Sequence, residues 1–167
     1  MSGTLADITR NCATSNAKGL KGTIYIAKVE DVATIPDAGA GTHTVSTNIT
    51  MDGTEVFHSW PISKEVDKNT YESNSEGDRD SNNFVTTLNA FIAKLDATKT
   101  YILATSSNGC EYIVLFEDKN GLVRIIGELE DGCTLKVNEK SADAGYEVEI
   151  RWDSALPPLY YTGTIPV

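Results

Sequence analysis

From residue 84 onward, Phe84, Val85, Leu88, Phe91, Ile92 and Leu95 recur at spacings of one, three and four, which fits one side of a helix. The pattern predicts an α-helix over about residues 82–96, capped by Ser81 or Asn82, with Asp78 and Asp80 favouring its positive end. Short apolar runs follow at Tyr101–Ala104, Tyr112–Phe116 and Leu122–Ile126, rich in β-branched and aromatic residues, and are read as strands lying under that helix. Lys119-Asn120-Gly121 between the last two is a hairpin signal.

Upstream, residues 22–30 carry apolar side chains at both parities, predicting a strand covered on both faces. Residues 42–51 alternate, with Val45, Thr47, Ile49 and Met51 opposed to a wet face of Thr44, Ser46, Asn48 and Thr50. Asp52-Gly53 predicts a turn, and the return strand places Val56, His58, Trp60 and Ile62 opposite Glu55, Phe57, Ser59 and Pro61. Pro61 consigns that strand to an edge or a bulge. Downstream, residues 133–137 and 146–152 read as strands, the second with Tyr146, Val148, Ile150 and Trp152 inward. Pro157-Pro158 ends regular structure before an extended tail.

The expected fold is mainly β: an antiparallel β-sandwich or barrel flanked by one helix, in a single domain over residues 1–167. Three segments stand apart from its core. Residues 1–21 form an N-terminal arm with two apolar anchors, Leu5 and Ile8, and residues 154–167 form a C-terminal tail. Residues 67–81, including Tyr71, Glu72, Glu76, Asp78, Arg79 and Asp80, are nearly free of apolar side chains. They read as a long polar loop that a partner orders.

Composition narrows the chemistry. Fourteen Lys and Arg against 24 Asp and Glu give a net charge of −10, which repels phosphate backbones and disfavours a nucleic-acid-gripping function. No apolar run reaches the length of a membrane span, and no secretory leader is visible, so folding in a cytoplasm is expected. The cysteines at 12, 110 and 133 are odd in number and lack zinc spacing, and are read as reduced thiols.

No reactive constellation emerges, and neither an enzyme nor a cofactor is expected. Asp78-Arg-Asp-Ser-Asn82 begins like a calcium loop, but Asn83 stands where glycine is needed and Asn89 where a bidentate Glu is needed. His43 and His58 lack a third ligand. Ala38-Gly-Ala-Gly-Thr42 lacks the Lys-Ser/Thr end of a phosphate loop. Glu128 with Glu130, and Glu147 with Glu149, are spaced as carboxylate pairs on an outer strand face, where a solvated rim is the commoner role. Trp60, Trp152 and the tyrosines fit either core or a sugar platform.

The order of elements resembles the tail tube (major tail) proteins of long-tailed bacteriophages, of the type in Bacteroidetes phages and prophages. The matching features are the arm around residues 5–12 leading through Gly19 and Gly22 into Ile24–Ala27, a hairpin, a polar loop, the Asn83–Phe91 segment, and a meander ending in residues 158–163. The resemblance implies homo-hexameric rings stacked into a hollow tube in the virion tail, each subunit giving four strands to a barrel around a lumen. It further implies that residues 67–81 reach the adjacent ring, that both termini lie over neighbouring copies, and that Thr44, Ser46, Asn48 and Thr50 face the lumen. Partners would be further copies, other tail proteins and DNA in passage, with no membrane. Rival expectations are a carbohydrate- or protein-binding β-sandwich module, a capsid decoration or tail-completion protein, and last a small hydrolase.

Overall fold

The computed structural model describes residue 8 and residues 17–167. In chain order these form β1 (Leu20–Lys28), β2 (Val32–Thr34), β3 (Thr44–Val45), β4 (Thr50–Met51), β5 (His58–Pro61), β6 (Thr70–Asp78), β7 (Ser81–Ala93), α1 (Ala97–Ser106), β8 (Tyr112–Asp118), β9 (Val123–Ile126), β10 (Thr134–Lys140), β11 (Gly145–Ser154) and β12 (Tyr160–Tyr161). A six-stranded sheet runs β3-β12-β9-β8-β1-β5, a four-stranded sheet runs β10-β11-β7-β6, and β2 with β4 makes a small third sheet. The fold is therefore mainly β, with antiparallel sheets packed together and, among the described residues, one α-helix, the class the sequence pattern predicts.

β8 is the keel of the molecule. Its residues Tyr112 to Phe116 are all buried, and strand alternation sends them into two separate cores. Tyr112, Val114 and Phe116 join Ile24, Ile26, Leu88, Val148, Ile150 and Trp152 between the two large sheets. Ile113 and Leu115 join Val45, Ile49, Phe57, Ile125 and Tyr161 on the opposite face. Each such buried side chain contributes about 1.5–3 kcal/mol, so a strand apolar on both sides is worth most in the middle of three layers. β1, covered on both faces as its sequence predicts, lies beside β8 in antiparallel register from Ile24↔Phe116 to Lys28↔Tyr112. The Lys119–Gly121 turn joins β8 to β9, with Gly121 at φ 83°.

Several expectations need correction. The predicted helix over residues 82–96 is the long strand β7, in which Leu88, Ala90 and Ile92 point into the core and Thr86 is buried with them. The helical stripe arose because Val85 and Phe91 are apolar yet belong to the other face, while the β-branched run Val85-Thr-Thr87 favours extended backbone. The helix lies later, over Ala97–Ser106, where a strand at Tyr101–Ala104 was predicted. Asp96 starts it by accepting from the Lys99 backbone N–H at 2.9 Å, and only Leu103 on it is buried.

Residues 67–81 are likewise not a loop. A 3-10 turn at Val66–Lys68 leads into β6, which pairs with β7 from Thr70↔Asn89 to Asp78↔Ser81. The Asp52-Gly53 turn exists, with Gly53 at φ 58°, but the strands beside it do not pair with each other: β4 pairs with β2, and β5 with β1. Trp60 and Ile62 face the core as the alternation predicts, but Phe57 is buried and Val56 is 38% exposed, the reverse of the expectation.

The tail over residues 154–167 lies on its own chain. Tyr160 and Tyr161 pair with β9 on one side and, in parallel, with β3 on the other. The Tyr161 hydroxyl donates to the Thr164 carbonyl at 2.8 Å and accepts from the Ile49 N–H at 3.1 Å, and the Phe57 N–H donates to the Pro166 carbonyl at 2.9 Å. Of the N-terminal arm, residues 1–7 and 9–16 lie outside the described residues; Ala17 is held by Asn120 and Leu20 already belongs to β1.

Candidate functional site

The four-stranded sheet has one dry face and one wet face. Inward go Leu135 from β10, Tyr146, Val148, Ile150 and Trp152 from β11, Leu88, Ala90 and Ile92 from β7, and the half-buried Tyr71 from β6. Strand alternation then puts a polar row outward at each level. Thr134, Arg151, Thr87 and Glu72 make one row across all four strands, and Lys136, Glu149, Asn89 and Thr70 make the next. A third row holds Asn138, Glu147 and Phe91. Val85 and Phe91 are the apolar exceptions on β7, and Phe91 is sealed: the Lys68 ammonium sits 4.2 Å from its ring centroid.

Charges on this face are mixed, with acids in excess. The Lys140 Nζ lies 2.8 Å from Glu147 Oε1, and the hydrogen bond and attraction of that carboxylate raise the lysine pKa. Arg151 pairs with Asp153 at 3.5 Å. Glu72 and Glu76 on β6, and Lys136 on β10, take part in none of the ion pairs among the described residues. A recess of about 360 Å³ opens on the face between Lys68 and Asp143, lined also by Asn89, Asn138, Glu147 and Glu149. Its rim is fixed by Asn69, a buried amide that donates to the Ser63 carbonyl and accepts from the Phe91 N–H at 2.9 Å.

Among the described residues, the sheet's two edges, β6 and β10, have a neighbour on one side only. Beyond the last β11 pair, Ser154↔Phe84, β6 and β7 continue as a two-stranded ribbon to a tip at Arg79-Asp80. Gly77 makes the tip possible: its φ is 111°, and a Cβ there would lie 2.1 Å from the Ser81 carbonyl oxygen. Thus Glu72 and Glu76 stand on the wet face, Asp78 ends β6, and Arg79 with Asp80 form the tip. Tyr71 is separated from them. Its ring packs at 4.9 Å from that of Phe116, and burial raises its phenol pKa against the opposing pull of Arg124.

Thr44, Ser46, Asn48 and Thr50 do not share a strand face. Thr44 lies in β3 and Thr50 in β4, which belong to different sheets. Asn48 Oδ1 accepts from the Thr164 N–H at 2.8 Å, and the Thr50 hydroxyl meets that of Thr34 at 2.6 Å. They tie the tail and the small sheet in place. The wet face that does exist includes Lys136, Asn138, Lys140 and Thr87, which the sequence reading did not single out, and Asn89, weighed there only against a calcium-loop pattern.

Other candidates dissolve on inspection. Among the described residues no group of three or more His, Cys, Asp or Glu is placed to hold a metal ion. His43 Nε2 is engaged with the Pro157 carbonyl at 2.9 Å. The Cys133 thiol is buried, donates to the Tyr112 carbonyl at 3.0 Å, and has its pKa pushed up to about 12 by burial, which removes its nucleophilicity. Cys110 is exposed and Cys12 lies outside the described residues. No described helix is long and apolar enough to cross a membrane. Compared with protein-family models, curated proteins and solved structures, the chain gives no significant match.

Proposed function

We propose that this chain is a structural virion protein, a tail tube subunit that assembles into stacked hexameric rings through which a phage genome passes. The observation that carries the reading is the four-stranded sheet, mostly polar on its outer face and, among the described residues, open at both edges. Open edges of this length invite pairing with another chain, and natural proteins otherwise blunt them. Consecutive strands in the order β10-β11-β7-β6 alternate in direction, so β6 of one copy meets β10 of the next in antiparallel sense. Repetition around a ring closes the sheet and leaves no edge.

The wet face would then line the lumen. Glu72, Glu76, Glu147 and Glu149 outweigh Lys136 and Arg151 there, and Lys140 is already occupied by Glu147. Such a wall offers phosphate groups few partners, so DNA slides without being gripped. The projecting β6–β7 tip, with Glu76, Asp78, Arg79 and Asp80, is the element that reaches the next ring. No catalysis and no cofactor are required; the partners are further copies, other tail proteins and passing DNA, and the site of action is the virion tail after synthesis in the host cytoplasm.

Electron microscopy of the purified protein, with sedimentation velocity across a concentration series, tests this directly. Rings or hollow filaments of uniform width are expected. A strictly monomeric species at high concentration rejects the proposal. It would favour instead a binding module using the recess of about 360 Å³ beside Glu147 and Glu149, whose amide and carboxylate lining suits a sugar.

A further inference from the structure

Resting on the ring reading above, we propose one register for the contact between copies: β6 pairs with β10 of the neighbour so that Asn74 stands opposite Asn138. Side chains directly opposite each other in an antiparallel pair lie on the same face, and a slip of one residue turns every side chain over. To keep the wet face continuous, Thr70, Glu72, Asn74 and Glu76 of β6 must therefore oppose Thr134, Lys136, Asn138 and Lys140 of β10.

Only a few registers satisfy that condition, and charge separates them. With Asn74 opposite Asn138, Glu72 faces Lys140 and Glu76 faces Lys136, two opposite-charge pairs flanking an amide pair. Shifting by two residues in one direction sets Glu72 against Asn138 and Glu76 against Thr134, and no charged pair remains. Shifting by two in the other sets Asn74 against Lys140 and Glu76 against Asn138, leaving only Asp78 opposite Lys136.

The acids concerned form no ion pair among the described residues, nor does Lys136, while Lys140 already holds Glu147 and has ammonium donors left for Glu72. On the dry side the same register sets Ser73, Ser75 and Gly77 against Glu139, Val137 and Leu135, so small residues meet large ones. Both edges carry the complementary halves of one contact.

Disulfide mapping tests the register in chains with Cys12→Ser and Cys110→Ser. Asn74→Cys with Asn138→Cys should give a covalent ladder of subunits on oxidation, resolved by non-reducing electrophoresis, whereas Asn74→Cys with Lys136→Cys should stay monomeric on the gel. The reverse pattern, or assemblies that neither pair cross-links, overturns the register while leaving the ring reading intact. Absence of any assembly in the unaltered protein overturns both. In parallel, Glu76→Lys alone should raise the concentration needed for assembly at least about tenfold, since the repulsion recurs at every subunit contact. Adding Lys136→Glu should restore assembly. Exposure of both side chains leaves the subunit fold unaffected in circular dichroism, and failure of the swap to restore assembly counts against the pairing.

Discussion

The Arg124 guanidinium lies 4.2 Å over the ring of Tyr160 and donates from Nη2 to the Tyr160 hydroxyl at 2.6 Å. The same group stands 5.0 Å from the ring of Tyr71, so β9, β12 and β6 meet at one cation. Arg124→Ala should lower unfolding free energy by about 1–3 kcal/mol through loss of stacking and a charge-assisted hydrogen bond. Arg124→Lys should recover only part, because an ammonium cannot stack on two rings and keep the fork geometry. Urea denaturation checks both.

Asn69 makes a second linkage, between the segment at Ser63 and β7. Asn69→Ala leaves the Phe91 N–H and the Ser63 carbonyl without their amide partner in a buried setting. A loss of about 1–3 kcal/mol is expected. Hydrogen exchange at the Phe91 amide should accelerate selectively.

Cys133 and Cys110 should respond oppositely to alkylation. Native protein at neutral pH should be labelled by iodoacetamide at the exposed Cys110 and spared at Cys133, which reacts only after unfolding. The linkage has a definite sign. The folded thiol titrates at about 12 against an ordinary value of 9.0, so its contribution is intact below pH 9 and is lost as pH rises toward 12. Cys133→Ala should flatten that alkaline decline in a thermal melt series.

Gly77→Ala separates folding from assembly. The added methyl meets the Ser81 carbonyl oxygen, and φ 111° strains any L side chain. Because the ribbon there extends past β11, the melting temperature should change little while the tip is deformed. On the ring reading, isolated rings should persist and stacking into tubes should fail, as counted by electron microscopy. Full-length tubes from this variant would remove the tip from the contact between rings.

The strands legible in the sequence are those whose burial is simple. β1 and β8 are apolar on both faces and β11 alternates without a break, so period alone places them. β7 was misread because Val85 and Phe91 lie on the wet face, where Phe91 is hidden by Lys68 from another element, a contact that no local pattern encodes. α1 was missed for the converse reason: Tyr101 and Ile102 are apolar but exposed, and only the Asp96 cap marks the start. Of the wet face, Glu72 and Glu76 stood out in a polar stretch, whereas Lys136, Asn138 and Lys140 look like any solvated strand until β10 is seen at an open edge.

β12 sits wedged between β3 and β9, segments made long before it. The six-stranded sheet therefore stays split during synthesis until Tyr161 has cleared the ribosome, leaving Val45, Ile49 and Phe57 without their lid. The stitch from the Phe57 N–H to the Pro166 carbonyl is accordingly among the late contacts of folding, formed only after the rest of the chain has been made.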